Sequence, residues 1–168
     1  MKRRNAAQRI ALCGLLTALM LVLGLVENQI PLNASIPGIK LGLSNGVLIF
    51  AIYMLDIPTA FGLMVVKVLL SSALYAGFGA APYALCGGLL SVGMMALLSR
   101  MKGIHPVAVS MIGGAMHNVG QVALAMLITR TPGLIGYMGL LIAVGLGCGL
   151  LTGVCDTLVM KHLKHVRL

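Results

Sequence analysis

Apolar stretches long enough to cross a lipid bilayer follow one another along this 168-residue chain, with only short polar joints between them. The hydrocarbon core of a bilayer is about 30 Å thick, which takes about 20 helical residues at about 1.5 Å each. Six segments can be drawn, at 8–26, 41–55, 58–75, 82–98, 106–129 and 134–163. A helix satisfies its own backbone N–H and C=O groups where no water can. The pattern therefore predicts an all-α integral membrane protein, a six-transmembrane-helix bundle. Little remains for a water-facing surface: 60% of residues are hydrophobic and 9% charged, against about 25% charged in soluble domains. The expectation is a single membrane domain over residues 1–168. The second segment is short for a full span, and the IPGIK ahead of it is expected to enter the membrane region as irregular chain.

The basic residues set the orientation. With both termini cytoplasmic, the inner side carries Lys2, Arg3, Arg4, Arg9, Arg100, Lys102, Lys161, Lys164 and Arg167, and the outer side only Lys40 and Arg130. That asymmetry is the positive-inside pattern, and an even number of spans is needed to put both basic ends inside. It also accounts for the net charge of +9 without nucleic acid, for which basic and aromatic residues would have to interleave. The opening MKRRN and the apolar run behind it look like a secretory signal. The run reaches Val26 and meets Glu27 without a small-x-small cleavage pattern, so an uncleaved first span is expected. Cys13, Cys86, Cys148 and Cys155 stand singly in apolar segments, with no CxxC pair, and are expected to be buried, inert thiols.

Small residues recur at helical spacing. Gly145, Gly149 and Gly153 form a ridge on the sixth segment, expected to pack within the bundle. Gly14 and Ala18 form a shorter pair on the first, where a docking face for a partner subunit competes with internal packing.

Ionisable and amide side chains inside a membrane are costly and mark function. His117 lies three turns past Pro106, roughly 17 Å along the helix axis, near the bilayer midplane. Gln121 follows four residues on and Asn118 precedes Gln121 by three, so the three are expected to make one polar stripe. Lys67 reaches a similar depth from Pro58. Glu27 closes the first segment, and Lys40 and Asn45 flank the start of the second, all towards the outer face. Together these residues predict an outward-opening pocket of mixed polarity, suited to a small polar or anionic ligand; interhelical hydrogen bonding is the alternative. Asp156 is expected to pair with Lys161 or Arg100, and Asp56 to be merely solvated.

Other functions lack their parts. Three dispersed acidic residues cannot build a carboxylate-clustered Mg²⁺-diphosphate site, and there is no Walker A motif and no nucleophile–base spacing. No metal, no cofactor and no autonomous catalysis are expected.

The Leu25-Val26-Glu27 and Ile30-Pro31 block, the PGIKLGLSN block at Pro37 to Asn45, and His117, Asn118, Gly120 and Gln121 carry a family resemblance. Over about residues 8–163 the chain resembles the Gx transporter family, also catalogued as heptaprenyl diphosphate synthase component I. Lys67 falls where that family carries a basic residue. The family in turn is similar to the substrate-binding S components of energy-coupling-factor importers. The resemblance implies a site for a vitamin-like or flavin- or quinone-precursor-like molecule, covered by the loop between the first two helices. It implies docking of a transmembrane coupling subunit on the face holding Gly14 and Ala18, ATPase partners, and a bacterial cytoplasmic membrane. The alternative it leaves is a non-catalytic membrane subunit of a prenyl diphosphate synthase or of an extracellular electron-transfer complex.

Overall fold

A computed structural model describes residues 5–29 and 42–165. Helix is the regular structure throughout the described residues: α1 (Ala6–Asn28), α2 (Asn45–Met54), α3 (Ile57–Ser71), α4 (Ala81–Ser99), α5 (Pro106–Thr129) and α6 (Ile135–His165). A π turn over Ser72–Ala76 continues α3, and short 3₁₀ turns at Phe78–Ala80 and Pro132–Leu134 lead into α4 and α6. Counting those turns, five helical segments are long and apolar enough to cross a membrane: Ala6–Asn28, Ile57–Ala76, Phe78–Ser99, Pro106–Thr129 and Pro132–Leu163. Large apolar side chains such as Leu15, Leu74, Leu127 and Leu151 stand exposed on them, as lipid-facing residues of a multi-pass membrane protein do.

The exception is α2. The second apolar segment was expected to form a helix over 41–55, but α2 has ten residues, about 15 Å of helix and half a bilayer core. Its sequence, NGVLIFAIYM, is apolar on every side, and such a helix belongs in an interior. Its first eight residues, Asn45 to Ile52, are all buried. It packs against each of the other five helices and supplies Val47, Leu48, Ile49, Phe50, Ala51 and Ile52 to the core, beside Met20, Met64, Val68, Val92 and Met95. The bundle is thus long helices around a short central one, whose first residue, Asn45, is polar and buried in the interior.

Helix α5 is gripped from both sides. On one side the glycine ridge of α6 lies on its backbone. A Cβ placed on Gly149 would sit 2.5 Å from the Met111 Cα, and one on Gly145 would sit 2.7 Å from the Gly114 carbonyl oxygen. The ridge packs within the bundle, as expected. On the other side Gly120 meets the backbone of Cys86 and Gly87 on α4, and Met95 packs on Gly113.

Two expectations about charge are corrected. Asp56 is not merely solvated: it caps α3, accepting from the Thr59 N–H at 2.8 Å, and pairs with Arg9 of α1. Arg9 also donates to the Thr59 hydroxyl at 2.7 Å, so one guanidinium ties α1 to the first turn of α3. The Thr59 hydrogen bonds, and then the Arg9 charge, hold the Asp56 carboxyl below its ordinary range. Asp156 does not pair with Lys161 or Arg100. Among the described residues it has no ion pair, and its Oδ2 is buried without a hydrogen-bond partner. The cysteines are free but not fully enclosed: Cys13, Cys86 and Cys148 are half-buried and Cys155 is exposed.

Two outcomes follow. Gly149→Ala drives a methyl into the α5 backbone and should cost about 1–3 kcal/mol. Gly147→Ala on the open side of α6, with nothing within 4 Å, should be neutral or gain up to about 1 kcal/mol of helix propensity; unfolding in detergent compares them. Asp56, with its folded pKa depressed, adds stability that is full above the unfolded carboxylate pKa and lost as pH falls through the folded value. Acid titration of thermal stability should show a small destabilisation below about pH 4 that Asp56→Asn removes.

Candidate functional site: a buried polar interior around His117

Two flanking helices place the polar residues of α5. The α4 backbone runs along one flank of the helix and α6 along the other. Positions 117 and 118, about 100° apart on a helix, therefore face different neighbours. His117 and Gln121, one turn apart, look towards α4. A Cβ on Gly87 would lie 2.6 Å from the His117 carbonyl oxygen, 3.2 Å from its Nδ1 and 2.8 Å from the Gln121 Cγ. Asn118 looks towards α6, donating from Nδ2 to the Leu141 carbonyl at 2.7 Å. All three are buried, at 2%, 0% and 0% exposure for His117, Asn118 and Gln121. The single stripe expected from the sequence is thus split. His117 and Gln121 face the interior, and Asn118 joins helices α5 and α6.

The N-terminal end of α2 completes the surroundings of His117. The chain enters at Gly42 in the left-handed region, φ 86°, which favours glycine. A Cβ there would sit 2.9 Å from the Asn45 Nδ2 and 3.6 Å from the His117 Cδ2. Gly42 donates its N–H to the Glu27 carboxylate, so α1 and the start of α2 are joined by a buried charge-assisted hydrogen bond. Glu27 and Asn45 were expected near the outer face. Both are buried, Glu27 1% and Asn45 4% exposed, and Gly42 sets the start of α2 against His117.

Lys67 is 4% exposed on α3, one turn before the buried Ser71. The π turn that follows swings Tyr75 onto α1, where its hydroxyl donates to the Leu21 carbonyl at 3.3 Å. A Cβ on Gly24 would meet that hydroxyl, so a larger residue there would have to displace Tyr75. Tyr75 lies within electrostatic reach of Glu27. Glu27, Lys67, Tyr75, His117 and Gln121 all have polar or electrostatic partners.

Glu27, Asn45, His117 and Gln121 are brought together through Gly42 and Gly87. Lys67 is buried on the neighbouring helix, and Lys40 lies outside the described residues. The sequence reading missed Tyr75, Ser44 and Ser91. Ser44 and Ser91 are 1% and 0% exposed, and their hydroxyls have no hydrogen-bond partner among the described residues. Serine is common in membrane helices, so only a register between α4 and α5 could have singled out Ser91. Gly14 and Ala18 are exposed on α1, and nothing lies within 4 Å of a Cβ placed on Gly14.

The chain's residues 16–159 match a protein-family model described as heptaprenyl diphosphate synthase component I. No curated protein and no solved structure matches it. Component I is generally regarded as non-catalytic, in keeping with three dispersed acidic residues.

Gly87→Ala tests the α4–α5 contact at the site. Its methyl has no room beside the His117 carbonyl, so the imidazole and Gln121 should shift. The expected result is a changed His117 ring resonance by NMR and a loss of about 1–3 kcal/mol in stability. Gly93→Ala on the open side of α4, with nothing within 4 Å, should leave the resonance unchanged and stability unchanged or raised by up to about 1 kcal/mol.

Proposed function

The chain belongs to the heptaprenyl diphosphate synthase component I family, and we propose that it is a substrate-binding integral membrane subunit of a small-molecule importer. The observation that carries this reading is the meeting of Glu27, Asn45, His117 and Gln121, from three different helices, in an interior that also buries Lys67. Polar hydrogen bonds between membrane helices contribute only about 0.6 kcal/mol on average, whereas a charge at depth costs several kcal/mol. Bundle glue needs amides and hydroxyls, as Asn118 supplies to Leu141. It does not need a lysine, a glutamate and a histidine in one interior. A small polar or anionic molecule entering from outside gives those groups a use.

In this reading the whole of 1–168 is one domain with six membrane passages, the second of them containing α2. Both termini are cytoplasmic, and the protein resides in the bacterial cytoplasmic membrane. Glu27, Lys40, Asn45, Lys67, His117, Asn118 and Gln121 form the binding set, with Asn118 acting through the α5–α6 contact. The likeness to energy-coupling-factor S components belongs to this proposal. So does docking of a coupling transmembrane subunit, with its ATPases, on the α1 face that holds Gly14 and Ala18. That face supports the idea by being open, since Gly14 has no neighbour there.

The family description favours a second reading, a non-catalytic membrane partner of a prenyl diphosphate synthase. Co-purification separates the two: ATPase subunits favour the importer, and a synthase subunit favours the second.

Mass spectrometry of small molecules extracted from gently purified protein is the direct test. A defined compound should accompany the wild-type chain, and Lys67→Met and His117→Ala should each lower its occupancy at least about tenfold while the protein remains folded. Retention of the compound by both variants refutes the assignment of the site.

A further inference from the structure

We infer that the interior site takes an uncharged ligand group by its carbonyl oxygen, with Ser91, Ser44 and Asn45 as the donors. The inference rests on the binding-site reading above and adds the chemistry of the bound group.

The first observation is what the hydroxyls leave undone. A serine or threonine inside a helix ordinarily satisfies itself on a carbonyl one turn back. Thr17, Ser71, Ser99, Thr129 and Thr157 all do so here. Ser91 is completely buried on α4 and does not. Ser44 stands at the N-cap of α2, where serine normally accepts from the helix's first N–H groups. It makes no such bond, and its buried hydroxyl has no partner among the described residues. The Asn45 Nδ2 is likewise buried without an acceptor among the described residues. Buried polar groups are nearly always satisfied, so three such groups in one interior point to an acceptor that arrives from outside.

The second observation is that they lie at about one level of the bundle, that of His117. On α5, Gly120 meets Cys86 and Gly87 and Gly113 meets Met95. That antiparallel pairing sets Ser91, one turn beyond Gly87, level with His117. Gly42 lies against both Asn45 and His117, and Ser44 sits between Gly42 and Asn45 in the turn that starts α2. Hydroxyls and a carboxamide NH₂ are donors that suit a carbonyl oxygen.

The third observation is the charge balance. Among the described residues that are fully buried, Glu27 and Lys67 carry the formal charges, one of each sign. An anionic group held by Asn45 would stand against the Glu27 carboxylate, which holds Gly42 beside that same Asn45, and like charges so placed repel. Uncompensated charge at this depth is strongly disfavoured. A neutral amide, imide or ketone presents the same acceptor without that cost.

Nicotinamide and nicotinate share a ring and differ in carboxamide against carboxylate, so they serve as the probe pair. Saturation-transfer NMR on the full chain in nanodiscs should show nicotinamide binding and nicotinate at least about tenfold weaker. Ser91→Ala and Asn45→Asp should each weaken nicotinamide by about five- to tenfold. The wild-type comparison needs no variant to fold. If nicotinate binds as well or better, the inference fails and the site reading stands. If nicotinamide is preferred but neither substitution weakens it in folded protein, the donor assignment is overturned. If neither probe binds and extraction yields an anionic compound, the inference again fails alone. If neither probe binds and extraction yields nothing, both readings fall. If neither probe binds and extraction yields a neutral carbonyl compound that Ser91→Ala and Asn45→Asp release, the inference holds.

Discussion

Everything polar in this interior is positioned by the backbone-to-backbone contact of α5 with α4 and α6. Gly114 against Gly145, Ser110 and Met111 against Gly149, and Gly120 against Gly87 bring three helices closer than side chains on those positions would permit. In lipid there is no hydrophobic drive between helices, so association depends on such close packing. The contact also fixes the rotation of α5. With its small residues committed to both flanks, His117 and Gln121 are turned to the α4 side and Asn118 to α6. The short α2 then brings Gly42, Ser44 and Asn45 to the level of His117, and Glu27 fastens that entry to α1.

Much of this was legible in the residues themselves. Apolar length and the scarcity of charge specify helices and a membrane, and the six segments correspond to the six helices. Depth along α5 singled out His117 and Gln121, and the glycine spacing of α6 indicated its packing. What the sequence could not show depends on partners far along the chain. Asp56 reads as a solvated joint residue until Arg9, 47 positions earlier, is found beside it. Asn118 and His117 are adjacent in sequence, and only the flanking helices reveal that they serve different faces. The uniform apolarity of α2 carries no periodic signal to separate a short central helix from a lipid-facing span. Ser91 is silent for a related reason, since its importance lies in a bond it does not make.

The interior has the marks of a site kept at some cost to stability. Apolar side chains fill the bundle around α2, whereas the region around His117 holds groups whose burial is unfavourable without partners. Natural proteins tolerate such local disadvantage where function requires it. The alternative, polar groups retained as interhelical glue, makes the opposite claim, that their removal weakens the bundle.

That opposition can be measured on one hydroxyl. Ser91→Ala changes a fully buried side chain by a single oxygen, with no cavity and no charge. Its effect on the unfolding free energy should be read in detergent after bound small molecules have been washed out. If the interior is a binding site, the ligand-free Ser91→Ala protein should be as stable as the wild type or more stable, because an unsatisfied donor has been removed. A loss of about 1 kcal/mol or more would mean that the hydroxyl holds the bundle together, and would contradict the reading of this interior as a site awaiting its ligand.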